Sequence, residues 1–145
     1  MRLSLHTDYA LRVLMFLAAE ERQASVDEIA RAYGISHNHL VKVARRLADL
    51  GLIDARRGRG GGITLAQAPD TINVGKMVRQ LESLGGFVEC FDAAENGCPV
   101  AGVCGLQGAL ALALGDFLKR LDSYVLSDLV PNKTAFARRL QTHKA

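Results

Sequence analysis

The chain has 145 residues, 49% of them hydrophobic and 23% charged, with a net charge of +3. That length fits one domain, or one small domain with an appended element, and is sufficient to bury a hydrophobic core. The longest apolar runs, residues 13–19 and 109–114, fall well short of the ~18 residues of a membrane-spanning helix. No basic leader precedes the first run, so we expect neither a membrane segment nor a signal peptide. An odd cysteine count without an export signal indicates a reducing, cytoplasmic location.

Positive charge is concentrated in the first half of the chain. Residues 1–67 carry ten Lys and Arg against seven Asp and Glu, whereas residues 68–145 carry eight of each. A locally basic half favours a polyanionic partner such as double-stranded DNA.

Three amphipathic helices are predicted in the first fifty residues. Thr7 and Asp8 form a plausible helix start, because they place a capping hydroxyl before an acid in the first turn. A capping box at residues 25–28 opens a second helix, Gly34 ends it, and Ser36 caps a third that runs to about Leu50. Two capped helices separated by a short turn are typical of a helix-turn-helix, whose second helix lies in the DNA major groove.

The third helix has a polar face suited to DNA. Asn can bond an adenine edge, while Lys and Arg can bind phosphates or guanine. The residues predicted on the apolar side are Leu40, Val41, Val43, Ala44 and Leu47. The predicted exposed positions are Ser36, His37, Asn38, His39, Lys42, Arg45 and Arg46. A solvated basic helix with no DNA role is the alternative interpretation of this stretch alone.

A β-hairpin is predicted directly after this helix. Residues 51–55 and 63–65 have strand character, and the glycine-rich residues 56–62 between them form a tight turn. Arg56, Arg57 and Arg59 could enter a minor groove, whose negative potential attracts arginine. The pattern favours a winged helix-turn-helix that binds DNA, although a wing can also bind a protein.

Two further helices are predicted downstream. A short one begins near Asn73 or Val74, and a long one spans about residues 105–124. Leu110, Leu114, Phe117, Leu121 and Tyr124 form a heptad-like stripe on the long helix. Because helix-turn-helix proteins usually bind two half-sites as a two-fold dimer, we expect this stripe to pack against a second copy. Pro131 should end the organised part, leaving a tail that is at most a frayed helix.

All three cysteines, Cys90, Cys98 and Cys104, lie in one glycine-bearing stretch with the spacing C-x7-C-x5-C. Structural zinc sites usually contain closer pairs, and the ferredoxin spacings are also absent. The wide gaps favour a loop around an iron–sulfur cluster. A metal-free thiol sensor, a zinc site and unrelated core cysteines remain alternatives on the spacing alone.

Taken together, these motifs resemble those of the winged-helix iron–sulfur transcription regulators. The matching segments are residues 1–12, 35–42 and 57–62 together with the three cysteines, and the resemblance spans about residues 1–129. It implies a mainly α fold with a small hairpin wing. The implied segments are a DNA-binding domain at 1–83, a cluster-binding loop at 84–104, a dimerisation helix region at 105–130 and a tail at 131–145.

The resemblance also bears on the fourth cluster ligand. The cluster-biogenesis branch of the family, IscR, has a histidine three residues after the third cysteine, where this chain has Gln107. The nitric-oxide-sensing branch, NsrR, has an aspartate near the start of the first helix, supplied by the partner subunit, and this chain has Asp8. Without the family, Asp8 is most simply a first-turn acid, and His6 is a nearby competitor as ligand.

The resemblance therefore implies a homodimeric repressor. Its metal ligands would be Cys90, Cys98, Cys104 and Asp8, its cofactor a [4Fe–4S] cluster, and its signal nitric oxide, which destroys the cluster. A regulator that senses cluster supply or oxidative stress is the first alternative. A redox enzyme or electron carrier is the second, and we do not expect an enzyme because no base–nucleophile arrangement stands out.

Overall fold

The computed structural model describes residues 2–143, and within them the chain forms six α-helices and one two-stranded antiparallel sheet. In chain order the elements are α1 (Leu5–Glu20), α2 (Val26–Tyr33), α3 (His37–Asp49), β1 (Ile53–Arg56), β2 (Gly62–Leu65), α4 (Val74–Leu81), α5 (Gly105–Leu121) and α6 (Lys133–His143). The prediction of a mainly helical fold with a hairpin wing is confirmed.

These elements form two compact units. The first contains residues 4–72 and 125–143, and the second contains residues 2–3 and 73–124. The units thus divide the chain differently from the four predicted segments. Residues 73–83 group with the cysteine loop, and the last helix groups with α1–α3.

Helix α1 begins earlier than predicted. Ser4, not Thr7, is its N-cap, and the Ser4 hydroxyl accepts a hydrogen bond from the Thr7 backbone N–H at 3.2 Å. Thr7 is fully buried, and its hydroxyl accepts a further bond from Ser4 at 3.1 Å. The prediction was wrong because both hydroxyls suit a cap, and only the packing of Thr7 against the core decides between them.

Helices α2 and α3 form the predicted helix-turn-helix. Ser25 caps α2 by accepting the Glu28 N–H at 3.0 Å, and Gly34 ends α2 with a positive φ of 65°. Ser36 is the N-cap of α3 but makes no side-chain capping bond. The side chains of α3 that enter the core are Leu40, Val43, Ala44 and Leu47.

Val41 is not in that core, contrary to the prediction. Its side chain is 45% exposed, whereas Leu40 is fully buried. Successive helical residues are rotated by about 100°, so a stripe formed by 40, 43, 44 and 47 leaves position 41 on the outer face.

The wing is shorter than predicted at its start. Strand β1 begins at Ile53, because Gly51 and Leu52 still bond back to the last turn of α3, through Ala48 O at 2.9 Å and Leu47 O at 3.0 Å. Gly51 has a positive φ of 69°, the conformation in which helices commonly end. Strands β1 and β2 then pair in antiparallel register from Ile53 opposite Leu65 to Arg56 opposite Gly62.

The base of the wing is joined to the loop before α2. Ala24 and Ile63 exchange two backbone hydrogen bonds of 3.1 and 2.8 Å. A Cβ on Gly62 would lie 2.7 Å from the Ala24 oxygen, so this approach requires glycine. The Gln23 amide also donates to Gly60 O at 2.6 Å. These bonds fix the direction of the hairpin on its own unit.

The C-terminal segment is an ordered helix rather than a frayed tail. Helix α6 packs against α1 and α2, and Lys133 at its start forms an ion pair with Glu21. Phe136, Ala137 and Leu140 are half-buried. The sequence prediction failed because α6 is stabilised by these tertiary contacts rather than by strong apolar periodicity.

In the second unit, α5 ends at Leu121, three residues before the predicted end. The chain then turns so that Tyr124 O accepts the Val74 N–H at 3.0 Å and Asp122 O accepts the Asn73 amide at 2.7 Å. Tyr124 therefore belongs to this turn, where it is 40% exposed. Helix α4 starts at Val74 with Asn73 as its cap, as predicted.

The same turn contains an ion pair and a close backbone contact. Arg79 binds both oxygens of Asp122, at 2.5 and 2.9 Å, and this bonding lowers the pKa of Asp122. A Cβ on Gly75 would lie 2.1 Å from Asp122 Oδ1 and 2.7 Å from its backbone nitrogen. Helix α4 can approach the end of α5 this closely only because residue 75 has no side chain.

We expect Gly75→Ala to destabilise the protein by about 1–3 kcal/mol, the usual range for an overpacked site. The helix propensity gained by replacing glycine with alanine, about 0.5–1 kcal/mol, works in the opposite direction and is the smaller effect. Urea unfolding measures the net change in the free energy of unfolding. Gly115→Ala is the control, because its added carbon meets nothing within 4 Å. Equal midpoints for the two variants would contradict the predicted collision.

The surface of α5 is unusually apolar. Only Leu118 of its 17 residues is buried within the chain. Leu106, Leu112 and Phe117 are 65%, 74% and 39% exposed. No helix among residues 2–143 is both long and apolar enough to span a membrane.

Candidate DNA interface and cysteine loop

Helix α3 presents its polar side chains outward. Every residue predicted on that face is exposed, namely Ser36, His37, Asn38, His39, Lys42, Arg45 and Arg46. The three wing arginines, Arg56, Arg57 and Arg59, are exposed as well. Their roles in DNA binding remain predictions, but their exposure makes the contacts available.

One acid modifies the charge at the start of α3. Asp27 on α2 forms an ion pair with Arg31 at 2.6 Å, and its other oxygen lies 3.9 Å from His37 Nδ1. The N-terminus of α3, like other helix N-termini, attracts phosphate, and the Asp27 carboxylate lies near it.

Asp8 takes part in an ordered network inside the winged-helix unit. Its carboxylate accepts bonds from Arg12 Nε at 3.3 Å and Arg12 Nη2 at 2.8 Å, and both side chains are slightly more than a third exposed. The Arg12 guanidinium lies 5.9 Å from the Tyr9 ring centroid and 5.8 Å from that of Tyr33. The Tyr9 ring in turn lies 6.3 Å from His39 on α3. The candidate ligand is thus linked by side-chain contacts to both helices of the helix-turn-helix.

Tyr33 is half-buried and joins this network to the backbone of α1. Its hydroxyl donates to Arg12 O at 3.1 Å, and burial raises the pKa of the phenol above its ordinary value of 10.0, since burial disfavours the charged form. Because the pKa of Tyr33 is raised in the folded state, its neutral phenol contributes stability in full below pH 10, near the pKa of the unfolded chain. That contribution is lost as the pH rises further.

We therefore expect the stability of the wild-type protein to fall more steeply between pH 9 and about pH 11 than that of Tyr33→Phe, because only the unfolded wild-type chain ionises at this position. Urea unfolding at a series of pH values tests this expectation. Parallel curves for the two proteins would contradict it.

The cysteines lie on a loop of the second unit with few regular elements. Cys90 is in a short 3-10 turn at Glu89–Phe91, Cys104 is the N-cap of α5, and Cys98 lies between them. All three thiols are free and half-buried. The Glu89 carboxylate accepts the Gly97 N–H at 2.7 Å, and the Asn96 side chain accepts the Cys98 N–H at 3.0 Å.

Cys90 and Cys104 line one cavity of about 770 Å³, together with residues of α5 that include Gln107. Gln107 donates to Cys90 O and accepts the Gly102 N–H, both at 3.0 Å. Both ends of this amide are therefore used to fasten the loop to α5.

Two of the four predicted ligands, Cys90 and Cys104, line one cavity. Cys98 does not line that cavity, and Asp8 belongs to the other unit. In the described part of the chain, no three His, Cys, Asp or Glu side chains lie close enough together to hold a metal ion. The donor set nevertheless fits a sulfur-ligated iron group, since all three thiols are free and two of them border a cavity larger than a single ion requires.

Comparison with known proteins decides the family. A family model described as Rrf2, iron-dependent transcriptional regulator, matches residues 3–132. The chain belongs to the Rrf2 family. The predicted resemblance to winged-helix iron–sulfur regulators is thereby confirmed, and the Rrf2 description names a transcriptional regulator rather than an enzyme.

Relatives within the Rrf2 family share nearly the full length of the chain. The HTH-type transcriptional regulator NsrR of Bacillus subtilis is 48% identical over 143 residues, which cover 97% of this chain and 98% of the relative. The regulator of the same name from Halalkalibacterium halodurans is 45% identical over 92% of each chain.

Solved structures of similar regulators share the fold. The global cysteine regulator CymR of B. subtilis has a TM-score of 0.68 at 28% identity, covering 90% of this chain and 97% of that one. IscR of T. potens has a TM-score of 0.69 at 26% identity, covering 90% of this chain and 87% of that one.

Three residues at the candidate sites gained importance only from the structure. Arg12 pairs with Asp8, a relation that the four-residue spacing of opposite charges could have indicated. Gln107 was assessed only as a poor ligand, whereas it fastens the loop. Val41 was assigned to the core, although a strict helical stripe would have excluded it.

Proposed function

We propose that this regulator is a homodimeric, cytoplasmic repressor that binds a palindromic operator only while it holds an iron–sulfur cluster of the [4Fe–4S] type, and that nitric oxide is its signal. The observation that carries the proposal is the nearly full-length likeness to regulators named NsrR, at 48% identity in one case. The exposed basic face of α3, the arginine-bearing wing and the three free thiols support it.

The exposed face of α5 supports a dimer. A helix with one buried residue in 17 leaves apolar side chains such as Leu106 and Phe117, which lie on the same face, in water. Exposed apolar patches of this kind mark protein interfaces. A second copy with the same face would cover them and place two α3 helices on two half-sites.

Cys90, Cys98 and Cys104 would hold the cluster, and Asp8 of the partner subunit would complete the ligand set. When bound, such a cluster supplies iron that reacts with small molecules such as nitric oxide. Three thiolates are soft ligands for iron, whereas a carboxylate is a harder and more weakly held one. The carboxylate corner is therefore the one best suited to respond to a signal.

Asp8 would then have two alternative partners. As a ligand it would leave Arg12, and once released it would return to the Arg12 pair described above. Arg12 lies against the rings of both Tyr9 and Tyr33. A change of partner at Asp8 would therefore affect side chains that contact α2 and α3. Such a two-state element, biased by the ligand, is what couples a sensor to DNA affinity.

The test of the whole proposal is an anaerobic purification followed by a visible spectrum and an operator-binding titration with nitric oxide. We expect a coloured protein that binds one operator tightly and releases it as nitric oxide is added. A colourless, iron-free protein that binds DNA unchanged would overturn the proposal. Release by oxidant or by iron starvation, with no response to nitric oxide, would favour a sensor of oxidation or cluster supply.

The ligand assignment of Asp8 has its own test. We expect Asp8→Ala to weaken operator binding by the cluster-loaded protein by about 5- to 150-fold, the usual range of such coupling. Asp27→Ala is the control for the spectrum and the nitric oxide response but not for operator affinity, because Asp27 forms a similar four-residue ion pair with Arg31 but also lies beside His37. The visible spectrum and the nitric oxide response should change in the first variant only. Identical spectra and responses in wild type and Asp8→Ala would exclude Asp8 as a ligand.

A further inference from the structure

Helix α3 carries one large apolar side chain that is exposed and does not pack into the core. Val41 is 45% exposed, while Leu40, Val43 and Leu47 are at most 1% exposed. We propose that Val41 contacts the C5 methyl group of a thymine in each operator half-site and makes operator recognition depend on that methyl. This inference rests on the proposed DNA-binding function.

The position of Val41 on the helix favours a base contact. It lies one helical turn after His37 and Asn38 and one turn before Arg45, all of them exposed. Side chains three or four residues apart share a face of a helix. Val41 therefore lies among exposed polar residues, on the side of the polar face that borders Ala44, in the N-terminal half of the helix that enters the major groove.

The chemistry of the groove leaves few partners for a valine. The edges of the bases present hydrogen-bond donors and acceptors, and the thymine C5 methyl is the apolar group among them. The charge around Val41 also favours DNA over an apolar protein surface, since Lys42 is adjacent and Arg45 follows one turn later. Asn38, one turn earlier, suits an adenine edge, so an A·T-containing half-site would satisfy both residues.

The expected effect is modest but can be measured. Removing one buried methyl group from a half-site should weaken binding about fourfold, and removing it from both half-sites about 15-fold. Polar contacts made by neighbouring residues would be unaffected, because uracil differs from thymine only by this methyl group.

The experiment uses the full-length, cluster-loaded protein and an operator that the wild-type protein selects from random duplex DNA. Each thymine of the half-sites is replaced in turn, symmetrically, by deoxyuridine, and binding is measured for wild type, Val41→Ala and Val41→Thr. At one position we expect the deoxyuridine substitution to lower the operator affinity of the wild type about 15-fold and to leave the affinity of Val41→Ala unchanged. Val41→Thr keeps one methyl group, so its loss of affinity on the same substitution should lie between those of the wild type and Val41→Ala.

Two measurements separate this proposal from its alternatives. Thermal unfolding of Val41→Ala should match wild type, because the side chain is largely outside the core. If every uracil substitution affects wild type and Val41→Ala equally, Val41 contacts no thymine methyl and the proposal is wrong. If Val41→Ala no longer dimerises and binds every operator more weakly by the same factor, Val41 is a protein contact instead and the proposal is wrong. A wild-type protein that selects no DNA sequence at all would overturn the proposed function itself.

Discussion

The Cys104→Ser protein should purify without iron or sulfide, show no visible absorbance and lose the specific operator binding of the wild type. Serine keeps the size of the side chain but replaces a soft thiolate with a neutral hydroxyl, which is a poor ligand for iron–sulfur clusters. Loss of the cluster would also remove the coupling to DNA, which we expect to weaken operator binding by at least about tenfold.

This substitution is informative because it should not harm folding. Cys104 is the N-cap of α5 and makes no capping bond there, whereas serine is among the preferred N-cap residues. Helix α5 should therefore be retained or stabilised by about 1 kcal/mol in the cluster-free protein. Circular dichroism melting of cluster-free wild type and variant measures this directly.

Val103→Ser is the matched control, since the adjacent Val103 is 87% exposed. It should keep the iron, the sulfide and the spectrum of the wild type. If Cys104→Ser protein also keeps them, Cys104 is not a ligand and the site proposed above must be abandoned.

The second large effect concerns the wing. Replacing Arg56, Arg57 and Arg59 together by glutamine should weaken operator binding at physiological salt by roughly 100-fold or more, because a dimer would lose up to six phosphate or minor-groove contacts. Each lost phosphate contact should also lower the slope of log affinity against log salt by ~0.9. Binding measured between about 50 and 300 mM salt gives both quantities.

A double Arg138→Gln, Arg139→Gln variant is a partial control for net charge, because it removes two positive charges per chain and the wing variant removes three. These arginines are exposed on α6 and have no predicted DNA contact, so the salt slope should hardly change. An unchanged slope in the wing variant would mean that the hairpin does not contact the phosphate backbone. The base of the wing should be intact in either case, since its bonds to Ala24 and Gln23 involve backbone atoms of the hairpin.

The helical elements of the DNA-binding unit could be predicted from the sequence because their signals are local. The serine at 25, the glycine at 34 and the apolar spacing around Leu40 and Leu47 each act within one or two helical turns. The wing was equally clear, because its glycine turn separates two short strands. Such features depend little on the rest of the fold.

Two of the errors, at the end of α5 and in α6, have a common physical origin in contacts between distant parts of the chain. Helix α5 ends at Leu121 because the following residues bond to the start of α4, about fifty positions earlier. Helix α6 is ordered because α1 and α2 provide a surface for it. Val41 was misassigned for a different reason, since hydrophobicity alone does not state on which face of a helix a residue lies.

The candidate cluster site was only partly predictable from the residues. The grouping of the three cysteines is evident in the sequence, and the cavity lined by Cys90 and Cys104 agrees with it. The role of Asp8 came from family resemblance alone and stays a prediction. The four-residue spacing of Asp8 and Arg12 indicates their ion pair, but the contacts of Arg12 with the Tyr9 and Tyr33 rings depend on side-chain positions that no spacing rule specifies.

The winged-helix unit is built from two separate stretches of chain, residues 4–72 and 125–143, with residues 73–124 between them in sequence. A fragment cut after residue 72 would consequently lack α6 and expose the faces of α1 and α2 that it covers. Conversely, the intervening stretch is an insertion in the topological sense, and insertions between retained halves of a domain are often tolerated. Grafting the corresponding stretch of another sensor between residues 72 and 125 is thus a rational way to give the same DNA-binding scaffold a new input.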